Sequence, residues 1–150
     1  MAAFRQRSRA PLLDRLASQD EAGSARARGF DRQALSESVR EELLRLLNTR
    51  RAPRSRLKQM TVIDYGIVDW SGLYADRSED RLKLAREIRL AIAHFEPRLQ
   101  LAEVDVQPLD GSRHALRVRI AGQLRSGGSE IWPVAFVMDM ADGVVHERFD

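Results

Sequence analysis

LAREIRLAIAHFEPRLQLAEVDVQ, residues 84–107, carries the transition on which the fold turns. Before Pro97 the apolar residues Leu84, Ile88, Ala91, Ile92 and Phe95 recur at helical spacing and make one buried stripe. Upstream, Ser78, Glu79 and Asp80 supply a cap and negative charge where such a helix would begin. Pro97 disfavours helical geometry at Glu96, so the helix is predicted to stop there. Beyond it the period falls from 3.6 to 2: Ala102, Val104 and Val106 alternate with Glu103, Asp105 and Gln107. A helix therefore feeds straight into a strand.

The period of two continues to the C-terminus. Leu116, Val118 and Ile120 alternate with Arg117 and Arg119, and Ile131 to Met138 is apolar on both faces, giving two more strands. Asp110-Gly111-Ser112, Ser126-Gly127-Gly128-Ser129 and Asp142-Gly143 are turn signals between them and before a further strand over Val144 to Phe149. Towards the N-terminus, Val39, Leu43, Leu46 and Leu47 predict another amphipathic helix over residues 36–49. Ser38 and Glu41 have the spacing of a capping box there, and Arg50, Arg51 and Pro53 end the segment. Residues 52–58 read as a basic linker, and Thr61 to Asp69 as an extended loop with a brief strand. The class is α+β: two amphipathic helices packed on one face of a small, mainly antiparallel sheet. This single domain spans residues 30–150, and residues 1–29, rich in Arg, Ala, Ser and Gly, are expected to form a flexible basic arm whose only apolar cluster holds Leu12, Leu13 and Leu16.

Composition narrows the class further. A chain of 150 residues with a 43% hydrophobic and 31% charged make-up can bury one core and is neither collagen-like nor disordered throughout. The absence of cysteine excludes disulfides and thiolate chemistry and suits a reducing, cytoplasmic setting. Residues 1–10 lack the apolar stretch of a secretory signal, and no run of about 18 apolar residues predicts membrane insertion. The net charge of +3 conceals an asymmetry: residues 1–60 carry 14 Lys and Arg against 7 Asp and Glu, while residues 61–150 carry 11 against 15. The first part favours acidic partners.

Catalytic chemistry finds little footing. Ser71 lies in Asp69-Trp70-Ser71-Gly72, which lacks the first glycine of a nucleophile elbow. His94, His114 and His146 show no metal-ligand spacing, and Gly127-Gly128 has neither the lysine nor the following helix of a phosphate loop; no cofactor is expected. Glu96 is the candidate acid for a glycosidase, but Arg98 two residues on favours the charged carboxylate, the wrong form for that role. Nucleic-acid binding has only the basic first part and a pI of about 9.9 in its favour, without reader motif or aromatic platform.

Four stretches remain: Pro11-Leu12-Leu13-Asp14-Arg15-Leu16, the helix running from Ser38 to Leu46-Leu47-Asn48-Thr49-Arg50, the segment Thr61 to Asp69 with Tyr65-Gly66, and Phe95-Glu96-Pro97-Arg98-Leu99. Together they resemble the TssE family of type VI secretion baseplate subunits, itself similar to the phage-tail wedge proteins once called lysozyme-like. Val68 stands where that family usually has proline. The resemblance implies a non-enzymatic cytoplasmic structural protein that joins the other wedge subunits (TssF, TssG, TssK) and helps initiate the contractile sheath (TssB, TssC) by strand exchange. It also implies that Glu96, Pro97 and Arg98 form the contact motif towards the wedge, with Leu12, Leu13 and Leu16 a second docking patch. A peptidoglycan-cleaving muramidase and a nucleic-acid-binding module are the alternative readings.

Overall fold

The computed structural model describes residues 32–51, 61–125 and 130–148. The arm with Leu12, Leu13 and Leu16, the linker over residues 52–58, the turn at residues 126–129 and Phe149 lie outside the described residues.

Helix α1 spans Arg32–Asn48. It extends four residues further towards the N-terminus than residue 36, because the apolar stripe begins one turn earlier, at the fully buried Leu35. Ser38 is consequently interior to the helix and buried, so the predicted capping box does not form. At the other end Asn48 Nδ2 donates to the Leu44 carbonyl at 2.9 Å and Thr49 Oγ1 to that of Arg45 at 2.7 Å, so polar side chains fold back on the last turn.

The segment that follows the linker is more structured than an extended loop. Val62–Asp64 forms a 3-10 turn, tied by the Asp64 carboxylate accepting from Thr61 N at 2.8 Å. Gly66 then adopts φ +111°, which brings Ile67 beside the end of α1: Ile67 N donates to the Thr49 carbonyl at 2.9 Å and Arg51 N to the Ile67 carbonyl at 2.7 Å. The brief strand is this one parallel bridge between Arg50 and Ile67.

Helix α2 spans Ser78–Phe95. Ser78 is its first helical residue; the cap position falls on Arg77, whose side chain makes no capping bond. The negative charge of Glu79 and Asp80 still sits in the first turn, favourably placed against the helix dipole, and Asp80 also accepts from Tyr74 N at 3.1 Å. Leu84, Ala85, Ile88, Ala91 and Ile92 are buried, and Phe95 packs at the margin of the core.

Strands β1 (Leu99–Pro108), β2 (Leu116–Arg125), β3 (Ile131–Ala141) and β4 (Val144–Glu147) form an antiparallel meander in the order β1-β2-β3-β4. Asp142 and Gly143, at φ 52° and 78°, close the β3–β4 hairpin as a two-residue turn of the type that matches strand twist. The expected alternation holds from Glu103 to Gln107, with Val104 and Val106 buried, and the β1–β2 register shifts just before it, between Leu101 and Glu103. Gly122 lies close against β1: a Cβ there would lie 2.3 Å from the Gln100 carbonyl oxygen. In β3 only Phe136, Met138 and Met140 are buried, while Ile131, Pro133 and Ala135 are exposed, so its apolar run is two-sided in composition but not in burial. Helix α2 packs along β1 and α1 against β4, and their stripes meet Val104, Val118, Ile120, Leu124, Met138 and Val145 in one core.

Two outcomes follow for stability. Gly66→Ala places a Cβ 2.3 Å from the Thr49 carbonyl oxygen in a backbone region that L-residues avoid, and is expected to cost about 3 kcal/mol in urea denaturation. Gly72→Ala, with nothing within 4 Å, serves as control and should change stability by less than about 0.5 kcal/mol. Across β2 and β3, Arg117 donates to both oxygens of Asp139 at 2.8 and 3.0 Å, and this bonding holds the carboxyl below the usual carboxylate range against the opposing effect of desolvation. A folded-state pKa below the unfolded value stabilises above the unfolded value and is lost as pH falls through the folded one. Asp139→Asn should therefore cost about 1 kcal/mol at pH 7, with a gap from wild type that narrows as pH falls below the ordinary carboxylate range, as read by melts across pH.

Candidate functional site

The junction of α2 with β1 concentrates polar side chains in an otherwise apolar layer. Pro97 ends the helix, and Glu96 takes the cap position at φ −125° and ψ 71°, its own N–H still bonded to the Ile92 carbonyl. Leu99 N donates back to the Glu96 carbonyl at 3.2 Å, and Arg125 N donates to the Arg98 carbonyl at 2.9 Å, so β1 joins the sheet immediately after the turn. This tight reversal folds Arg98 over Glu96. Its Nε donates to Oε1 at 2.7 Å and its Nη2 to Oε2 at 2.5 Å, a bidentate fork, and Arg98 N adds a third bond to Oε1 at 3.2 Å.

Glu96 is 1% exposed, so its carboxylate points inward and the guanidinium closes over it. Arg98 is half-buried and Pro97 exposed; these two residues are what the motif presents outward. The third donor of the fork, Nη1, reaches Ser38 Oγ on α1 at 3.1 Å. Ser38, which sequence reasoning assigned to a cap, instead ties the first helix to the motif.

Tyr65 completes the cluster. Its hydroxyl donates to Glu42 Oε1 at 2.6 Å, its ring meets Phe95 edge-on at 5.2 Å, and Glu42 also pairs with Arg45 at 2.5 Å. Burial first, then the Glu42 bond, push the Tyr65 hydroxyl well above its ordinary pKa, with Glu96 adding to the effect, so it remains a donor. Three of the four stretches singled out in the sequence thus converge: α1 through Ser38 and Glu42, the Tyr65-Gly66 loop, and Phe95 to Arg98. The fourth, with Leu12, Leu13 and Leu16, is outside the described residues.

Two further polar contacts had no sequence signal beyond residue type. Arg51, almost wholly buried, donates to Glu87 of α2 at 2.7 Å. Asn48 bonds both backbone groups of Val145 on β4, accepting from its N–H at 2.9 Å and donating to its carbonyl at 3.1 Å.

The other candidate chemistries are not assembled. Ser71 Oγ donates to Asp69 at 2.7 Å in an exposed turn, and that bond is the first reason why the Asp69 carboxyl lies below the usual carboxylate range. His94, His114 and His146 are exposed on separate elements, and among the described residues no group of three metal-binding side chains forms. An open depression of about 350 Å³ between α1 and β3, lined by Arg32, Gln33, Ser36, Trp132 and Val134, contains no acid or base pair.

The sequence matches the family described as baseplate wedge protein gp25 over residues 33–129. Among solved structures, a Geobacter sulfurreducens protein provisionally called a tail lysozyme is similar in fold, with 17% identity, TM-score 0.52, and coverage of 77% of this chain and 98% of that one. A chain of the baseplate complex from the type VI secretion system aligns with 20% identity and TM-score 0.49 over 73% of this chain and 96% of that one. No curated protein matches the sequence.

Removing one half of the buried pair should be far worse than removing both. Arg98→Ala leaves the Glu96 carboxylate buried without its partner and is expected to cost about 3–5 kcal/mol. The apolar double substitution Glu96→Leu/Arg98→Met should cost less than Arg98→Ala, and Ser38→Ala about 1 kcal/mol, all read by urea denaturation.

Proposed function

This chain belongs to the baseplate wedge protein gp25 family, and from that premise we propose that it is the TssE-type subunit of a cytoplasmic type VI secretion baseplate. It acts through binding and geometry, without catalysis or cofactor. The Glu96-Pro97-Arg98 junction is the observation that carries this reading. A bidentate pair, a proline and a tie to Ser38 fix the motif before any partner arrives, which lowers the entropy lost on association. Pro97 and the outer side of Arg98 meet the neighbouring wedge subunits, TssF and TssG with TssK, while Glu96 holds Arg98 in the presenting geometry.

Leu12, Leu13 and Leu16 give a second docking patch on the same wedge. The sheath subunits TssB and TssC add strands to the sheet, a mode that needs only backbone groups on an edge. A muramidase role is disfavoured by the same geometry: both Glu96 oxygens are engaged by guanidinium N–H groups and the residue is 1% exposed, so neither oxygen meets a glycan. No helix among the described residues is long and apolar enough to cross a membrane, consistent with a place in the cytoplasmic apparatus.

The test is capture of the folded Glu96→Leu/Arg98→Met variant by purified TssF–TssG, with folding checked by circular dichroism and melting. We expect the variant to remain folded and to be captured at least tenfold more weakly than wild type, a loss of about 1.4 kcal/mol. Capture equal to wild type would reduce the motif to an internal brace and move the interface elsewhere.

A further inference from the structure

Helix α2 has a second face, opposite the stripe of Leu84, Ile88, Ala91 and Ile92 that enters the core. Leu82, Arg86 and Leu90 follow one another there at four-residue spacing, which makes them one ridge of the helix surface, and all three are exposed. Leu82 is 61% and Leu90 49% exposed. With the aliphatic stem of Arg86 between them, the ridge offers apolar contact over about 12 Å of helix. Ala93 continues it with a side chain small enough to let another helix approach closely.

The exposed charges along this face are of one sign. Lys83, Arg86 and Arg89 make no ion pair among the described residues. The acids of α2 are committed elsewhere: Asp80 accepts from Tyr74 N at 3.1 Å, Glu87 holds Arg51 at 2.7 Å, and Glu79 sits in the first turn against the helix dipole. A face that pairs leucines with cations the fold leaves unmatched is complementary to an acidic partner with apolar side chains of its own. A second copy of the same face would set cation against cation. The chain's own arm is a poor match too, since residues 1–29 carry 6 Arg against 3 Asp and Glu.

We propose that the outer face of α2 is a docking surface for an acidic amphipathic helix of a neighbouring wedge subunit. Its apolar side chains pack between Leu82 and Leu90, and its carboxylates meet Lys83, Arg86 and Arg89. A helix fits because a four-residue ridge seats in the groove between the ridges of another helix, and carboxylates three or four residues apart on one helix match cations spaced by three on the other. This rests on the wedge-subunit reading given above and extends that contact from exposed Pro97 back along α2. The leucines supply affinity, while the cations speed encounter and select the partner's charge.

Binding of purified TssF–TssG is measured for wild type, for Lys83→Gln/Arg86→Gln/Arg89→Gln, for Leu82→Gln/Leu90→Gln and for Glu96→Leu/Arg98→Met, with folding checked by circular dichroism and melting. The two face variants alter exposed positions only, and either one carries the test should the other fail to fold. The expected result is binding about tenfold weaker in the charge variant at low salt, a difference that shrinks at high salt as screening removes the wild type's advantage. The leucine variant should bind about tenfold more weakly at both salt concentrations. Loss in the face variants with the Glu96/Arg98 variant at wild-type strength upholds the α2 surface and moves the wedge contact off the junction. Loss in the Glu96/Arg98 variant with both face variants at wild-type strength overturns the inference and leaves the wedge reading standing. Absence of binding by wild type overturns the wedge reading and the α2 surface with it. Binding of wild type to phosphatidylglycerol vesicles that the charge variant loses, with its TssF–TssG binding unchanged, overturns the helical partner in favour of a lipid surface.

Discussion

Pro97 has no N–H to give and its ring denies helical geometry to the residue before it, so α2 has to end at Phe95 and the backbone has to turn at Glu96. That single constraint places a carboxylate at the mouth of the core, where it is stable only if something cationic covers it. Arg98 does so from two residues away, and the same turn delivers Leu99 into the sheet opposite Leu124. Everything downstream depends on this register: α2 packs along β1, and the meander is laid out from β1. A buried ion pair yields little net stability over an apolar replacement, so its value lies in fixing one arrangement rather than in strengthening it.

The apolar stripes alone would leave the helices free to slide on the sheet. Leu43, Leu46, Ile88 and Ile92 supply the driving force for burial, but such side chains tolerate small shifts that preserve volume. Directional bonds remove that freedom at several points: Arg98 to Ser38, Tyr65 to Glu42, Arg51 to Glu87, and Asn48 to Val145. Each joins segments far apart in sequence, and three of the four end on α1. That helix is therefore positioned by polar contacts along its length while its buried face supplies the core.

Much of this plan was legible from periodicity. The change from a 3.6 to a 2 repeat across Pro97, the turn at Asp142-Gly143 and the stripe of α2 are local signals, and local signals survive folding because they act within a few residues. The errors arose where a local rule competed with burial. Ser38 has the spacing of a capping box with Glu41, yet Leu35 lies one turn upstream and its burial extends the helix past that cap. The alternation from Glu103 to Gln107 holds, but the register shift between Leu101 and Glu103 has no periodic signal in the sequence. In the site, Glu96 and Arg98 were legible as a pair because they are neighbours in sequence. Ser38, Tyr65 and Asn48 were not assigned to their contacts, since those are made by residues brought together only in three dimensions.

Structural and recognition roles need not be alternatives for such a motif. A surface that must be met by several neighbours in a defined order gains from being rigid beforehand, since each side chain already fixed is one that association does not have to order. The bonds that brace the α2–β1 junction also aim Arg98, and the amide that ends α1 ties that helix to β4. The polar contacts gather at the ends of helices and beside the edge of the sheet, and the core is otherwise apolar, with Glu96, Arg51 and Ser38 the buried polar exceptions among the described residues. In the proposed adaptor role, the residues that hold the fold at this junction would also face the partner, and a small domain with little surface gains from that economy.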